Sequence, residues 1–175
     1  MFVQELLPRH HGQELHRIRI EGTAESVLKA AREVTWREVP NSRRLLGVKK
    51  DLLDTEVLPE ICRQIGFQEL RADERELTFG TVLSLPFGKP VPLDPGKPPL
   101  EAFRAFDTKG HVRIAWNFHY ADGELITHTR TAATSGGTGA LFRLYWLFVR
   151  LPSGYTRKEW LRAIKKRHEQ ERHAS

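Results

Sequence analysis

The chain lacks most of the features that would name a chemistry outright. It holds one cysteine, Cys62, which excludes an internal disulfide and would leave any zinc site to histidines and carboxylates. No apolar run approaches the roughly 18 residues that span a bilayer, and no secretory signal opens the sequence. The expectation is a soluble, cytoplasmic protein. There is no Ser-His-Asp or Cys-His order, no glycine loop built to cradle phosphate, and no internal repeat. No cofactor is expected.

What is present suits a packed domain. A length of 175 residues is about one domain. Hydrophobic residues at 39% and aromatics at 9% are too many for a disordered chain. The net charge of +6 is local: from Arg143 onward there are nine basic and three acidic residues, an excess equal to the whole. A segment that concentrates the charge weakens a general nucleic-acid reading and leaves a local contact open.

Periodicity sets the element order. Residues 1–12 are expected to be irregular. Residues 14–20 alternate as a strand, with Ile18 and Ile20 on one side. Thr23 can cap a helix whose stripe is Val27, Ala30, Ala31 and Val34. Short helices are expected near Pro40, ended by Gly47, and after Pro59, ended by Gly66. Cys62 lies in the latter and reads as a buried structural thiol. Residues 67–70 and 76–84 read as strands. Six of the ten prolines fall between Pro86 and Pro99, so 86–99 is expected to be a loop or lid. Residues 102–106 are read as extended, and 111–120 alternate as the clearest strand. Asp122-Gly123 is a two-residue hairpin signal that returns 125–133 antiparallel. Thr138 can start an apolar helix to about 151. Pro152-Ser153-Gly154 is expected to kink or restart it, and a basic helix follows over 153–172 with Trp160, Leu161 and Ile164 on one side. The order predicts an α+β domain: a curved antiparallel sheet of about six strands around a long C-terminal helix, with two or three short helices after the first strand.

The stretches AFDTKGHVRIAWNFHY, THTRTAAT and FRLYWLFVRLPSGYTRKEWLRAI resemble the SRPBCC superfamily, the START-like, helix-grip proteins, some labelled polyketide cyclase or dehydrase. The resemblance covers nearly the whole chain as a single domain, 1–175. It implies an internal apolar cavity between sheet and final helix, used for lipids, polyketides or other hydrophobic molecules. The family usually has glutamate where this chain has His128, before Thr129-Arg130, which argues against a carboxylate–arginine pair there.

The hairpin assigns faces. Tyr120 opposes Leu125, Phe118 opposes Thr127 and Trp116 opposes Thr129. One face carries Val112, Ile114, Trp116, Phe118 and Tyr120 beside Leu125, Thr127, Thr129 and Thr131, with Phe103 and Ala105 joining it. Apolar walls with a few hydroxyls describe a ligand pocket or an ordinary sheet core. From the last helix, Leu141, Tyr145 and Phe148 complete the candidate ligand-binding set. The other face carries Arg113, Asn117, His119, His128 and Arg130 and is expected to be solvated. His119 and His128 could approach one another, but two flanking arginines oppose a cation, so no metal is expected.

Three functions remain open. The first is a carrier of a hydrophobic small molecule, held under the 86–99 loop. The second is a cyclase- or dehydratase-like enzyme, with Tyr120, Tyr145, Arg143 or a threonine of 127–131 assisting proton transfer. The third is a basic helix contacting a membrane surface or nucleic acid; the expectation is instead that this helix packs on the domain or a second subunit. The expected partner is a hydrophobic small molecule, with no nucleic acid, no stable membrane insertion, and a monomer or homodimer.

Overall fold

The computed structural model describes residues 1–48, 55–86 and 88–174, with side chains throughout these except at 140, 141 and 143–152. The chain runs α1 (Phe2–Leu6), β1 (Gly12–Arg19), α2 (Ala24–Glu33), α3 (Pro40–Leu45), α4 (Leu58–Gln64), β2 (Gln68–Ala72), β3 (Glu76–Ser84), β4 (Lys89–Val91), α5 (Pro99–Ala105), β5 (His111–Ala121), β6 (Glu124–Ala133) and α6 (Gly136–Ala174). It is an α+β arrangement: an open, antiparallel, six-stranded sheet in the order β1-β6-β5-β3-β2, with β4 paired to β3, and a long C-terminal helix.

Local chemistry explains the elements. Asp122 and Gly123 both take positive φ, 53° and 76°, the left-handed pair that a type I′ hairpin needs. The turn fixes the register, with Tyr120 opposite Leu125 and Trp116 opposite Thr129. Thr23 caps α2 through a reciprocal box with Ser26. Gly47 and Gly66 follow α3 and α4 at positive φ.

Two apolar layers cover the sheet, one on each face. Against the inner face pack α2, α4 and the C-terminal half of α6, burying Trp36, Phe79, Phe118, Leu125 and Ile164. Against the outer face pack α1 and α5, burying Phe2, Val3, Leu7, Phe103, Val82 and Ala115. Gly80 lets α5 approach: a Cβ there would fall 2.5 Å from Leu70 Cδ1 and 3.1 Å from Phe103 Cε2.

The structure corrects several expectations. Residues 1–12 are not irregular; they contain α1, whose apolar side chains seal the outer layer. Residues 102–106 are not extended, because Pro99 begins the helix α5 and Ala102 and Phe103 form its buried side. The 86–99 segment contains β4 and the start of α5, while Phe87 lies outside the described residues. The outer face is not solvated: Asn117 is 0% and His128 2% exposed under the second layer. No restart occurs at Pro152. It removes one backbone donor, yet α6 runs on as one helix.

Candidate functional site

The inner face is organised around Trp116, which alternation on β5 turns inward and leaves 2% exposed. Phe79 stacks on it at 4.8 Å between centroids, across the β3–β5 pair. Phe118 and Phe67 meet it edge-on at 5.3 and 6.1 Å. Facing this cluster, Trp160 of α6 packs edge-on against Trp36 at 6.3 Å. Between the two groups lies a cavity of about 350 Å³, walled by Ile61, Ile65, Phe67, Leu83, Ile114, Trp116 and Trp160. That volume falls in the roughly 300–1,000 Å³ range of small-molecule sites. Leu45 and Leu46 form part of the wall and are also 49% and 44% exposed, placing apolar side chains where the cavity meets the surface.

The polar groups of the wall are few: Cys62, Thr129, Ser153, Thr156 and Arg157. The Arg157 guanidinium carbon lies 3.8 Å from the centroid of the Trp116 ring, a cation–π contact. Its Nε is sequestered without a hydrogen-bond partner, as is the indole Nε1 of Trp116. Burial pulls the Arg157 pKa down to about 10, so the group stays charged at neutral pH. Burial also pushes the Cys62 thiol well above its usual range, keeping it protonated beside that charge. Thr156 donates its hydroxyl to the Ser153 carbonyl at 2.8 Å. Nearby, Glu14 of β1 lies 3.0 Å from His16 Nε2. Gly154 of α6 lies against this pair, since a Cβ there would meet Glu14 Oε1.

The structure separates the residues singled out in the sequence. Ile114, Trp116 and Thr129 line the cavity. Phe118 stands behind Trp116, and Thr127 is buried with its hydroxyl unpartnered, but neither borders the space. Tyr120 donates to the carbonyls of Ile20 and Gly22, which fastens the β1–α2 connection instead of facing a ligand. Phe103 belongs to the outer layer, because α5 is a helix on that face. The side chains of Leu141, Tyr145 and Phe148 lie outside the described residues. The 86–99 segment is not among the described walls of the cavity. Its Pro90, Val91, Pro92 and Leu93 border a separate groove with Gly66 and Gln68.

Arg157 was missed, and only one signal pointed to it. It lies three residues before Trp160 on the helix, the spacing that puts two side chains on one face. A run rich in Lys and Arg hides which member turns inward.

The polar residues of the outer face form a buried network. Glu76 accepts from the backbone N–H of Phe2 with both oxygens, at 3.0 and 2.9 Å, and from Asn117 Nδ2 at 2.6 Å. Asn117 Oδ1 accepts the backbone N–H of His128 at 2.8 Å. Arg130 donates to the Leu7 carbonyl at 3.1 Å. Desolvation, helped by the charge of Arg130, lowers the His128 pKa to about 4. His119 Nδ1 lies 3.4 Å from Glu76 Oε2. Among the described residues no group of three or more His, Cys, Asp or Glu side chains is placed to hold a metal. The network ties α1 to the sheet.

Part of the basic run is engaged within the molecule, while Lys158, Arg162 and Lys166 are exposed. Arg167 contacts Glu33, Glu38 and Glu171, Lys165 donates to the Arg19 carbonyl, and Arg172 donates to the Glu21 carbonyl. Trp160, Leu161 and Ile164 are buried in the inner layer. Among the described residues no helix is long and apolar enough to cross a membrane.

Comparison with protein-family models, with curated proteins and with solved structures gave no match for this chain.

Proposed function

We propose that this chain is a START-like, helix-grip binding protein that holds a hydrophobic small molecule, lipid-like or polyketide-like, between its sheet and C-terminal helix. The observation that carries the reading is the apolar cavity of about 350 Å³ against Trp116. Interiors pack densely, and an unfilled space of this size forfeits dispersion contacts along its whole lining. An apolar guest restores them. The element order and the inward alternation of β5 and β6 support the same reading.

A cyclase- or dehydratase-like reaction requires groups that exchange protons near neutral pH within the cavity. The titratable residues among its described walls are Cys62, held protonated, and Arg157, held charged. Neither is poised for that work, so binding is favoured over catalysis. The ion pairs that occupy Arg167 and the burial of Trp160 leave the membrane or nucleic-acid reading less to stand on.

Titration with Nile red, a neutral apolar dye, tests the proposal. Saturable fluorescence enhancement, lost when Ile114→Trp fills the cavity, is the expected result. Enhancement that Ile114→Trp leaves unchanged in a folded variant, or no enhancement at all, would contradict it.

A further inference from the structure

We infer that the cavity takes an amphipathic carboxylate, its anionic end held by Arg157 beside Thr129 and its apolar body lying along Ile61, Ile65 and Phe67. The inference rests on the cavity being a binding site and adds the chemical class of the guest.

Arg157 stands apart from the other arginines that reach into packed regions. Arg32 pairs with Glu69 at 3.0 Å, Arg167 sits among three glutamates, and Arg130 donates to a carbonyl. Among the described residues, Arg157 has neither a carboxylate within ion-pair distance nor a hydrogen-bond acceptor; its one close partner is the face of Trp116. A ring face attracts the cation but satisfies none of the five N–H donors along the guanidinium edge. Burying the Nε donor of such a fork without an acceptor costs free energy, and an arriving acceptor recovers it.

The nearby acidic groups do not fill the need. Cys62 is held as the neutral thiol. Glu14, whose charge acts on Arg157 from beyond ion-pair distance, is not among the described cavity walls. Its Oε1 lies 3.0 Å from His16 Nε2 and its Oε2 is buried without a hydrogen-bond partner. Two further donors lie alongside. Thr129 is paired across the sheet with Trp116 and its hydroxyl makes no hydrogen bond among the described residues, while the Trp116 indole N–H is unpartnered. Three donors on an apolar cavity whose described walls carry no carboxylate form an anion site with an apolar annex. A guanidinium fork matches the two oxygens of a carboxylate. A small planar carboxylate also fits a cavity of this size while leaving most of it for hydrocarbon.

Calorimetric titration of the unmodified protein with decanoate, 1-decanol and decyl phosphate tests the inference. Decanoate is expected to bind about 10- to 100-fold more tightly than decanol, the gain from hydrogen bonds to a charged group. Arg157→Gln is expected to erase that difference while leaving decanol affinity within about threefold, and Arg157→Lys to restore part of it. Should the Gln variant fail to fold, the comparison of decanoate with decanol on the unmodified protein decides alone. Equal affinity for those two ligands would overturn the anion site and leave the cavity reading intact. Binding of neither would remove both. Decyl phosphate binding tenfold more tightly than decanoate would overturn the carboxylate assignment in favour of a phosphate monoester.

Discussion

The backbone N–H of Phe2 is held by both carboxylate oxygens of Glu76, 74 residues away and buried beneath the helix that Phe2 begins. The same carboxylate accepts from Asn117, so one side chain joins α1, β3 and β5.

Glu76→Ala would strand the Phe2 and Asn117 donors in a buried site. The expected loss is about 2–4 kcal/mol of stability, from unsatisfied donors and the loss of a charge-assisted contact. Urea denaturation followed by circular dichroism measures it. A change under about 0.5 kcal/mol would mean that α1 is not fastened by this carboxylate.

That contact also marks the limit of what the sequence discloses. The β5–β6 hairpin was legible because alternation over ten residues and Asp122-Gly123 agree on register. The caps at Thr23, Gly47 and Gly66 were legible because they are local. The helix α1 was not, since five residues have too little periodicity and depend on Glu76 for their place. The region around Phe103 misled for a related reason: a seven-residue helix between prolines resembles an extended segment when its partner, the gap over Gly80, is unknown. At the site, the inward face of β5 was readable, and so was the side of the last helix carrying Trp160. Arg157 was not, because charge patterning reports that a helix is basic without saying which cation is buried.

His128 makes stability pH-dependent. Its pKa falls from 6.5 to about 4 on folding because burial and Arg130 disfavour the imidazolium, while Glu76 partly opposes them. Between those values the unfolded chain binds the extra proton, so acid favours unfolding. The contribution is fully present above about pH 6.5 and is lost as the pH falls toward 4, with a slope of up to about 1.4 kcal/mol per pH unit. Denaturation midpoints measured across this window should fall with acid and flatten in His128→Gln. An unchanged slope in the variant would assign the dependence elsewhere.

Trp160 closes the inner layer and touches Trp36 edge-on. Its replacement by Ala should cost about 3–5 kcal/mol, the usual range for removing a buried Trp. A loss below about 1 kcal/mol would show that α6 is not anchored there. The same denaturation experiment reads the result.

Thr129 gives a prediction of opposite sign. Its hydroxyl makes no hydrogen bond among the described residues, so Thr129→Val should leave stability unchanged or raise it by up to about 1 kcal/mol. Decanoate affinity should nonetheless fall severalfold, as one donor to the anion is removed. A destabilised variant with unaltered affinity would contradict both halves.

The most direct test follows the Trp116 indole N–H resonance in a nitrogen–proton correlation spectrum, assigned by its disappearance in Trp116→Phe, as decanoate is added. A saturable shift of that signal, well beyond the shift at the indole of Trp36, is the predicted result. An indole signal at Trp116 that stays in place through the titration would mean that no guest enters beside it, and the binding account would be wrong.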